Sequence, residues 1–447
     1  RDYFGEKPLY IYKNSDFTFL FSEIGFLELA RYFSNNELTI NNQSLTRFLL
    51  YGYRQVFTQD QGISFFSDVK AVTPGSINIL NLLNDKIEFN MVNSISKDFF
   101  NSREENNYSF SELKDSIIHN ISNRAVSDVP TGVSLSGGID SNLVTSILCK
   151  TNNPPKLAFT IHSKDKRYSE VDDAKIAARE YGIKHISVDI NEFEYSPVKN
   201  FIRLSSKRKS PFLTLTSFVS WYVANAAKEC GIKVMFSGIG GDEFFSGYYD
   251  HYYFRQNNNN VSNEEINNFK KNVLPMITNP ILSNQEIALE RIHTFSHHYE
   301  DLNERIETLN VKKDMECPNL KMFPSKSLLR SRMFAEITNE IIPVILHEDD
   351  INYMNCSVEN RSPMLSRQIY LESLKIPEQK LFAKGYQKNP LREISLKLIP
   401  EKIRLNFRKT GFNYSIWDFI NSDYDEITHL INRESYLWEL INKKIFL

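Results

Sequence analysis

From Arg1 to about Met91 the apolar residues fall in short, β-like runs: Pro8 to Tyr12, Phe17 to Phe21, and Ser76 to Leu80. Turn residues such as Thr73-Pro74-Gly75 punctuate them. The stretch from Ser94 to Tyr108, containing Arg103-Glu104-Glu105-Asn106-Asn107, is polar and aperiodic and reads as a linker. The period then changes. Val133 and Leu135 lie in a short apolar strand, after which Leu143, Val144, Ile147 and Leu148 recur at helical spacing. Leu157 to Ile161, Ile186 to Ile190 and Lys233 to Phe236 read as further strands. Between them run helices carrying Val171, Ala174, Ala177, Ala178 and Tyr181 on one face, then Leu215, Phe218, Val219, Tyr222, Val223 and Ala226. Strands separated by helices in this rhythm predict an α/β domain, a parallel sheet with helices on both faces.

From about Tyr248 onward the pattern is mostly helical and predicts a helical C-terminal extension, with Trp417, Phe419, Trp438 and Leu440 in the final helices. Gln256 to Asn260 is polar and reads as a loop. The division expected is therefore residues 1–93, a linker over 94–108, and the α/β unit over 109–447.

Length and composition narrow the classes. A chain of 447 residues exceeds one ordinary core, and 41% hydrophobic with 24% charged residues is a globular composition. A net charge of -2 supplies no basic field for nucleic acid. No window holds the roughly eighteen apolar residues that a membrane span needs. Cys149, Cys230, Cys317 and Cys356 are scattered without a CxxC pair, as expected of buried thiols in a reducing cytoplasm. The chain opens on Arg1 inside a strand-and-turn pattern, so it reads as the C-terminal part of a longer polypeptide.

The candidate chemistry sits in two glycine clusters, each directly after a predicted strand. In Ser136-Gly137-Gly138-Ile139-Asp140-Ser141 the paired glycines let backbone approach a phosphate, and the helix N-terminus that follows aims N–H groups at an anion. Ser136 and Ser141 add hydroxyls. Asp140 beside a polyanion calls for a bridging cation, and Mg²⁺ is suited to one or two carboxylates plus phosphate oxygens. The bland reading is a glycine-rich turn with no ligand, which the six matched residues in strand–loop–helix context disfavour. No GxxxxGK[ST] occurs, so this is not a Walker A loop. The second cluster, Ser237-Gly238-Ile239-Gly240-Gly241-Asp242-Glu243, fails as a dinucleotide fingerprint because Glu243 stands at the last glycine. That excludes an NAD(P)-dependent oxidoreductase. It supplies backbone groups for a nucleotide and a second metal carboxylate, Asp242.

Three other features read as structural. His293, His297 and His298 fit a solvated helix face better than a metal site. Ser206-Lys207-Arg208-Lys209 fits a solvated loop, and His347-Glu348-Asp349-Asp350 the polar end of a helix facing the cleft.

Taken in order, the motifs resemble those of the glutamine-dependent asparagine synthetases over nearly the whole chain. Arg1-Asp2-Tyr3-Phe4-Gly5-Glu6-Lys7-Pro8-Leu9-Tyr10 is similar to a segment of that family's N-terminal-nucleophile glutaminase domain, an α+β fold. Phe21-Ser22-Glu23-Ile24 and Val72-Thr73-Pro74-Gly75 resemble later landmarks of it. Ser127-Asp128-Val129-Pro130, the Ser136 loop, Glu359-Asn360-Arg361-Ser362-Pro363, Lys388-x-x-Leu391-Arg392 and Arg408-Lys409-Thr410-Gly411-Phe412 resemble the synthetase domain.

The resemblance implies an ATP-pyrophosphatase fold and a ligase that adenylates a carboxylate, releasing AMP and pyrophosphate, with ammonia drawn from glutamine. It implies ATP contacts at Ser134, Leu135, Ser136, Gly137, Gly138, Asp140, Ser141, Ile161, Ser237 and Gly238, and Mg²⁺ on Asp140 and Asp242. Asp140 and Lys409 would be catalytic, the lysine stabilising charge on the transferring phosphoryl group. Ile239, Gly241, Glu359 and Arg361 would line the acceptor pocket, and Asp2 would remain from the glutamine site. The implied partners are small molecules, with a homodimer as the candidate assembly. Ile239 and Ser366 stand where the family carries acids, so aspartate competes with another carboxylate, such as a sugar uronate, as acceptor. A non-catalytic nucleotide-binding remnant is the reading from another class, and retention of Asp140, Asp242 and Lys409 together argues against it.

Overall fold

The structure, a computed structural model, describes residues 1–13, 17–34, 38–52, 64–81, 86–91, 94–105, 108–163, 169–256, 261–277, 280–290, 326–407, 414–435 and 438. Lys409 with its neighbours, Cys317, Leu440 and the three histidines at 293, 297 and 298 lie outside them.

The N-terminal region forms antiparallel strands β1 (Tyr10–Lys13), β2 (Thr18–Phe21) and β3 (Val69–Ala71) in the order β2-β1-β3, with a separate hairpin of β4 (Ser76–Asn81) and β5 (Lys86–Met91). Helices Leu27–Ser34 and Asn42–Tyr51, absent from the sequence reading, accompany them. The expected linker contains a helix, Ile95–Asn101, started by Ser94 accepting from the Lys97 amide. Only Ile95 and Phe99 of that stretch are apolar and inward, too few for a periodic signal, yet Phe99 stacks on Phe334 at 4.3 Å.

The second region is built on five parallel strands: β6 (Thr131–Ser134), β7 (Leu157–His162), β8 (Lys184–Asp189), β9 (Val234–Phe236) and β10 (Glu359–Arg361). Their order is β10-β9-β6-β7-β8. Both faces are covered, and alternate residues show it. Ala158, Val234 and Phe236 join one apolar cluster with helices Phe110–Arg124, Ile139–Leu148 and Val171–Tyr181. Phe159 and Met235 join another with helices Leu215–Glu229 and Ile342–Met354. From β6 the next strands are added outward on one side as β7 and β8, whereas β9 and then β10 are added on the other, so the topological switch point lies between β6 and β9. Ligands of open α/β sheets bind there, beyond the carboxyl ends. Both glycine clusters follow those two strands.

Two polar runs differ from their sequence readings. Arg208 is no solvated loop residue. It ends helix Pro197–Arg208, ion-pairs with Glu348 and lies 3.9 Å over the Phe212 ring. His347 to Asp350 occupy the middle of helix Ile342–Met354 rather than its end. There burial holds the His347 imidazole neutral, with its pKa lowered to about 3, and pushes the Asp349 carboxyl up to about 7. Of the described cysteines Cys356 is buried, whereas Cys230 is exposed at a helix end. No described helix is long and apolar enough to cross a membrane.

Candidate functional site

The turn after β6 is held by its own side chains. Ser141 Oγ accepts from the Ser136 amide at 3.1 Å and meets Ser136 Oγ at 2.8 Å, while Ser136 Oγ accepts from the Gly138 amide at 3.1 Å. The two hydroxyls thus face each other across the turn. Gly138 caps helix Ile139–Leu148, whose first N–H groups lack helical partners and face the carboxyl end of the sheet. Asn142, not singled out from sequence, is the buckle. Fully buried, it donates from Nδ2 to Ser136 O at 2.8 Å and Gly138 O at 2.7 Å, and Tyr181 OH donates to its Oδ1 at 3.0 Å. Thr145 and Ser146 share its helix face, so nothing local in the sequence marks this amide.

The second cluster lies directly against the first. A Cβ on Gly238 would stand 2.7 Å from the Ser141 amide nitrogen, and one on Gly241 would overlap the Asp140 carboxylate. Absence of a side chain is what lets the two turns touch. Gly241→Ala is therefore expected to destabilise the protein by roughly 1–3 kcal/mol through overpacking. Gly137→Ala, whose Cβ would meet Asp173 Cβ at 3.2 Å, should cost less. Thermal unfolding of both variants checks this, and equal shifts would refute it.

The contact between turns brings Asp140 and Asp242 onto one cation, Lys388. Its Nζ pairs with Asp140 Oδ2 and lies 2.6 Å from Asp242 Oδ1, on side chains 6%, 12% and 15% exposed. Nothing local in the sequence marks Lys388 for this role, because its partners lie 248 and 146 positions away. Gly247, packed against Asp242 and the Lys388 stem, leaves no room for a larger group. Behind Asp242, burial with that neighbour's charge pushes the Glu243 carboxyl up to about 7, and Tyr248 OH donates to it at 2.6 Å.

The remaining predicted residues divide. Ser134, at the end of β6, meets the Tyr353 hydroxyl at 3.1 Å. Leu135 donates its amide to Phe159 O, and Thr160 Oγ1 donates to Leu135 O at 2.5 Å, so its backbone is already committed. Ile161 sits near the carboxyl end of β7, and the Ser237 amide bonds Arg361 O at 3.0 Å. Ile239 and Gly241 reach the meeting point of the turns, with Ile239 against the main core. Glu359 and Arg361 pair with each other at 2.8 Å on β10, and Arg361 Nη1 holds Arg124 O and Val126 O. Its Nε and Nη2 are thus taken by Glu359 and its Nη1 by backbone. Ser366 donates to Asn120 Oδ1 at 2.7 Å and starts helix Arg367–Lys375, so it serves a helix contact. Asp2 accepts from the amides of Glu6 and Lys7 at 2.8 and 3.0 Å, closing its own turn.

Comparison with known proteins agrees with this geometry. The asparagine synthase family profile matches residues 112–444. An asparagine synthetase (glutamine-hydrolysing) of Bacillus subtilis strain 168 is 27% identical over 99% of this chain and 69% of its own length. Asparagine synthetase 2 of Lotus japonicus is 30% identical over 28% of this chain and 22% of its own. Among solved structures, an NH3-dependent NAD synthetase from Campylobacter jejuni aligns with 31% of this chain and 61% of that one at 14% identity. Its TM-score is 0.22, so the fold stands on the strand order instead. A match that runs from the helix before β6 to the C-terminal helices, and so takes in both glycine turns and Lys388, leaves one assignment: this chain belongs to the asparagine synthase family, ATP-dependent ligases that form amides.

Proposed function

We propose that the chain joins ammonia to the side-chain carboxylate of aspartate, giving asparagine, AMP and pyrophosphate, with glutamine as the ordinary ammonia source and the cytoplasm as its place. The observation that carries the reading is the meeting of Asp140 and Asp242 on a single buried cation beside an anion-binding turn. Two carboxylates offered by adjacent turns are a donor set that suits Mg²⁺ bound with a triphosphate. Asp140 and Asp242 would hold that ion, and it would supply neutralisation of the triphosphate charge.

The chain's own groups account for the rest. The first amides of helix Ile139–Leu148 receive the pyrophosphate, those of Ser136 and Gly138 being held within the turn, and Lys388, released from its carboxylates, turns to phosphate oxygens. Ile161 and the Ser237–Gly238 backbone flank the nucleoside. The acceptor carboxylate oxygen forms a bond to the α-phosphorus as the bond from that phosphorus to the bridging oxygen breaks, releasing pyrophosphate. Ammonia then adds to the acyl carbon, loses a proton, and AMP departs. Lys409 is assigned the charge that builds during the first step.

Incubation with ATP, Mg²⁺, ammonium and a panel of carboxylates tests this. AMP, pyrophosphate and asparagine should form together and only with aspartate present. Acceptor-dependent ADP and orthophosphate would refute the adenylation, and turnover with a different acid alone would replace the acceptor.

A further inference from the structure

The N-terminal turn Asp2–Lys7 reaches across to the α/β unit, with Phe4, Glu6 and Lys7 among the side chains that make the contact. Phe4 is buried against Phe244 and Tyr370, at ring separations of 5.5 and 6.0 Å. Phe244 belongs to helix Gly241–Phe245, which also carries Asp242. Glu6 Oε1 accepts from the Ser362 amide at 2.6 Å, and its Oε2 pairs with Arg124 at 2.9 Å. Lys7 Nζ donates to Asn360 O at 3.2 Å and pairs with Asp350 at 3.1 Å.

These contacts fall where the sheet is open. β10 is an edge strand whose Glu359 amide and Arg361 carbonyl bond towards β9, through Lys233 O and the Ser237 amide. The Asn360 carbonyl and Ser362 amide point to the vacant side. Lys7 and Glu6 take one each, in place of the strand that would otherwise lie there. Beyond β10 the chain turns through Ser362 to Leu365. Ser362 Oγ lies 3.3 Å from Ser237 Oγ, and Arg124 holds Ser362 O and Leu365 O at 3.0 and 2.9 Å. Leu365 in turn closes on Gly240, which stands at φ 101, with 2.7 Å between its Cδ2 and the site of a Cβ.

We infer that Glu6 and Lys7 are positioning residues of the adenylation site, clamping β10 and, through the Ser362–Leu365 turn, setting the Ser237–Asp242 turn that faces the nucleotide. The inference rests on the function proposed above for its bearing on turnover, but not for the geometry it describes. The Asp2–Lys7 turn is then a mechanical link by which the state of the N-terminal sheet biases ATP binding.

Hydrogen–deuterium exchange of the full chain reads the clamp without any acceptor. In Glu6→Ala, amides of the peptide spanning 234–241 should exchange about tenfold faster while β7 and β8 keep their protection, since opening is local. ATP affinity, measured calorimetrically with Mg²⁺, should fall by about tenfold, the size of an ordinary coupling effect. Glu6→Gln keeps an acceptor for the Ser362 amide and loses the charge towards Arg124, so it should lie between. Lys7→Met alters the half-exposed prong and serves if Glu6→Ala does not fold. Unchanged exchange over 234–241, or equal acceleration in all five strands, would overturn the clamp. The exchange effect without turnover on any carboxylate would leave the clamp standing and remove the proposed reaction.

Discussion

With Lys388 replaced by methionine, the ligand-free protein should lose about 3 kcal/mol of stability, the cost of breaking a buried ion pair by removing one partner. Lys388 is the cation on which two buried carboxylates converge, and without it Asp140 and Asp242 are left as like charges in a poorly solvated space. Mg²⁺, held by Asp140 and Asp242 as proposed, would supply the missing charge, so it should raise the unfolding temperature more in Lys388→Met than in the unaltered protein. Pyrophosphate release should fall roughly a hundredfold, as when one preorganised electrostatic group is lost. The backbone does not confound the comparison, because position 388 keeps its φ of 53° with either side chain. Lys388→Arg should not restore activity. Gly247 closes on the lysine stem, and a planar fork needs more room than an ammonium. Thermal unfolding with and without Mg²⁺, paired with a pyrophosphate assay, measures all of this. An unaltered melting temperature with an equal Mg²⁺ response would make Lys388 a bystander.

With the role proposed above, Lys409→Ala is expected to cut pyrophosphate release by roughly a hundredfold or more while weakening ATP binding far less, because a charge that acts only on the transferring phosphoryl group adds little to ground-state binding. The described chain leads towards it from a fixed point. Arg392 donates to Arg404 O and, at 3.1 Å, to Asn406 O, and Phe407 stacks on Tyr386 at 3.9 Å. Tyr386 is two residues before Lys388, so the described chain is anchored as far as Phe407 to the segment that carries Lys388. Lys409→Arg should rescue only in part. A surface lysine would behave otherwise, its loss leaving rate and stability nearly unaltered. Pre-steady-state pyrophosphate release at saturating ATP, Mg²⁺ and acceptor separates the two. A full rate in Lys409→Ala would take this lysine out of the mechanism.

How much was legible varies with the distance over which each feature is decided. The Ser136–Ser141 turn could be read because its requirements are local: a strand behind it, two adjacent glycines, and a helix starting at Ile139. The helix Val171–Tyr181 could be read because burial repeats along it with the helical period, and Leu215–Glu229 because its apolar run, buried all round from 218 to 224, is too long for a strand. β10 could not, since three residues are too few to show a period, and Glu359-Asn360-Arg361 carries no apolar signal at all. Arg208 looked solvated because charge in a row of Ser, Lys and Lys is normally hydrated, and only Glu348 from a distant helix makes its burial tolerable.

The amino-acid sequence alone determined the strands β6 to β9 with the helices between them, the two glycine turns that follow β6 and β9, and the carboxylates that stand in those turns. These follow from side-chain shape and periodicity within a few residues. The tertiary structure decided the strand order that brings the turns after β6 and β9 together, the choice of Lys388 as their shared cation, and the use of Glu6 and Lys7 at the sheet edge. The contacts of Lys388 with its carboxylates and of Glu6 and Lys7 with β10 and the Ser362 amide join residues from 146 to 356 positions apart, and a charge so far along the chain has no partner until the topology supplies one.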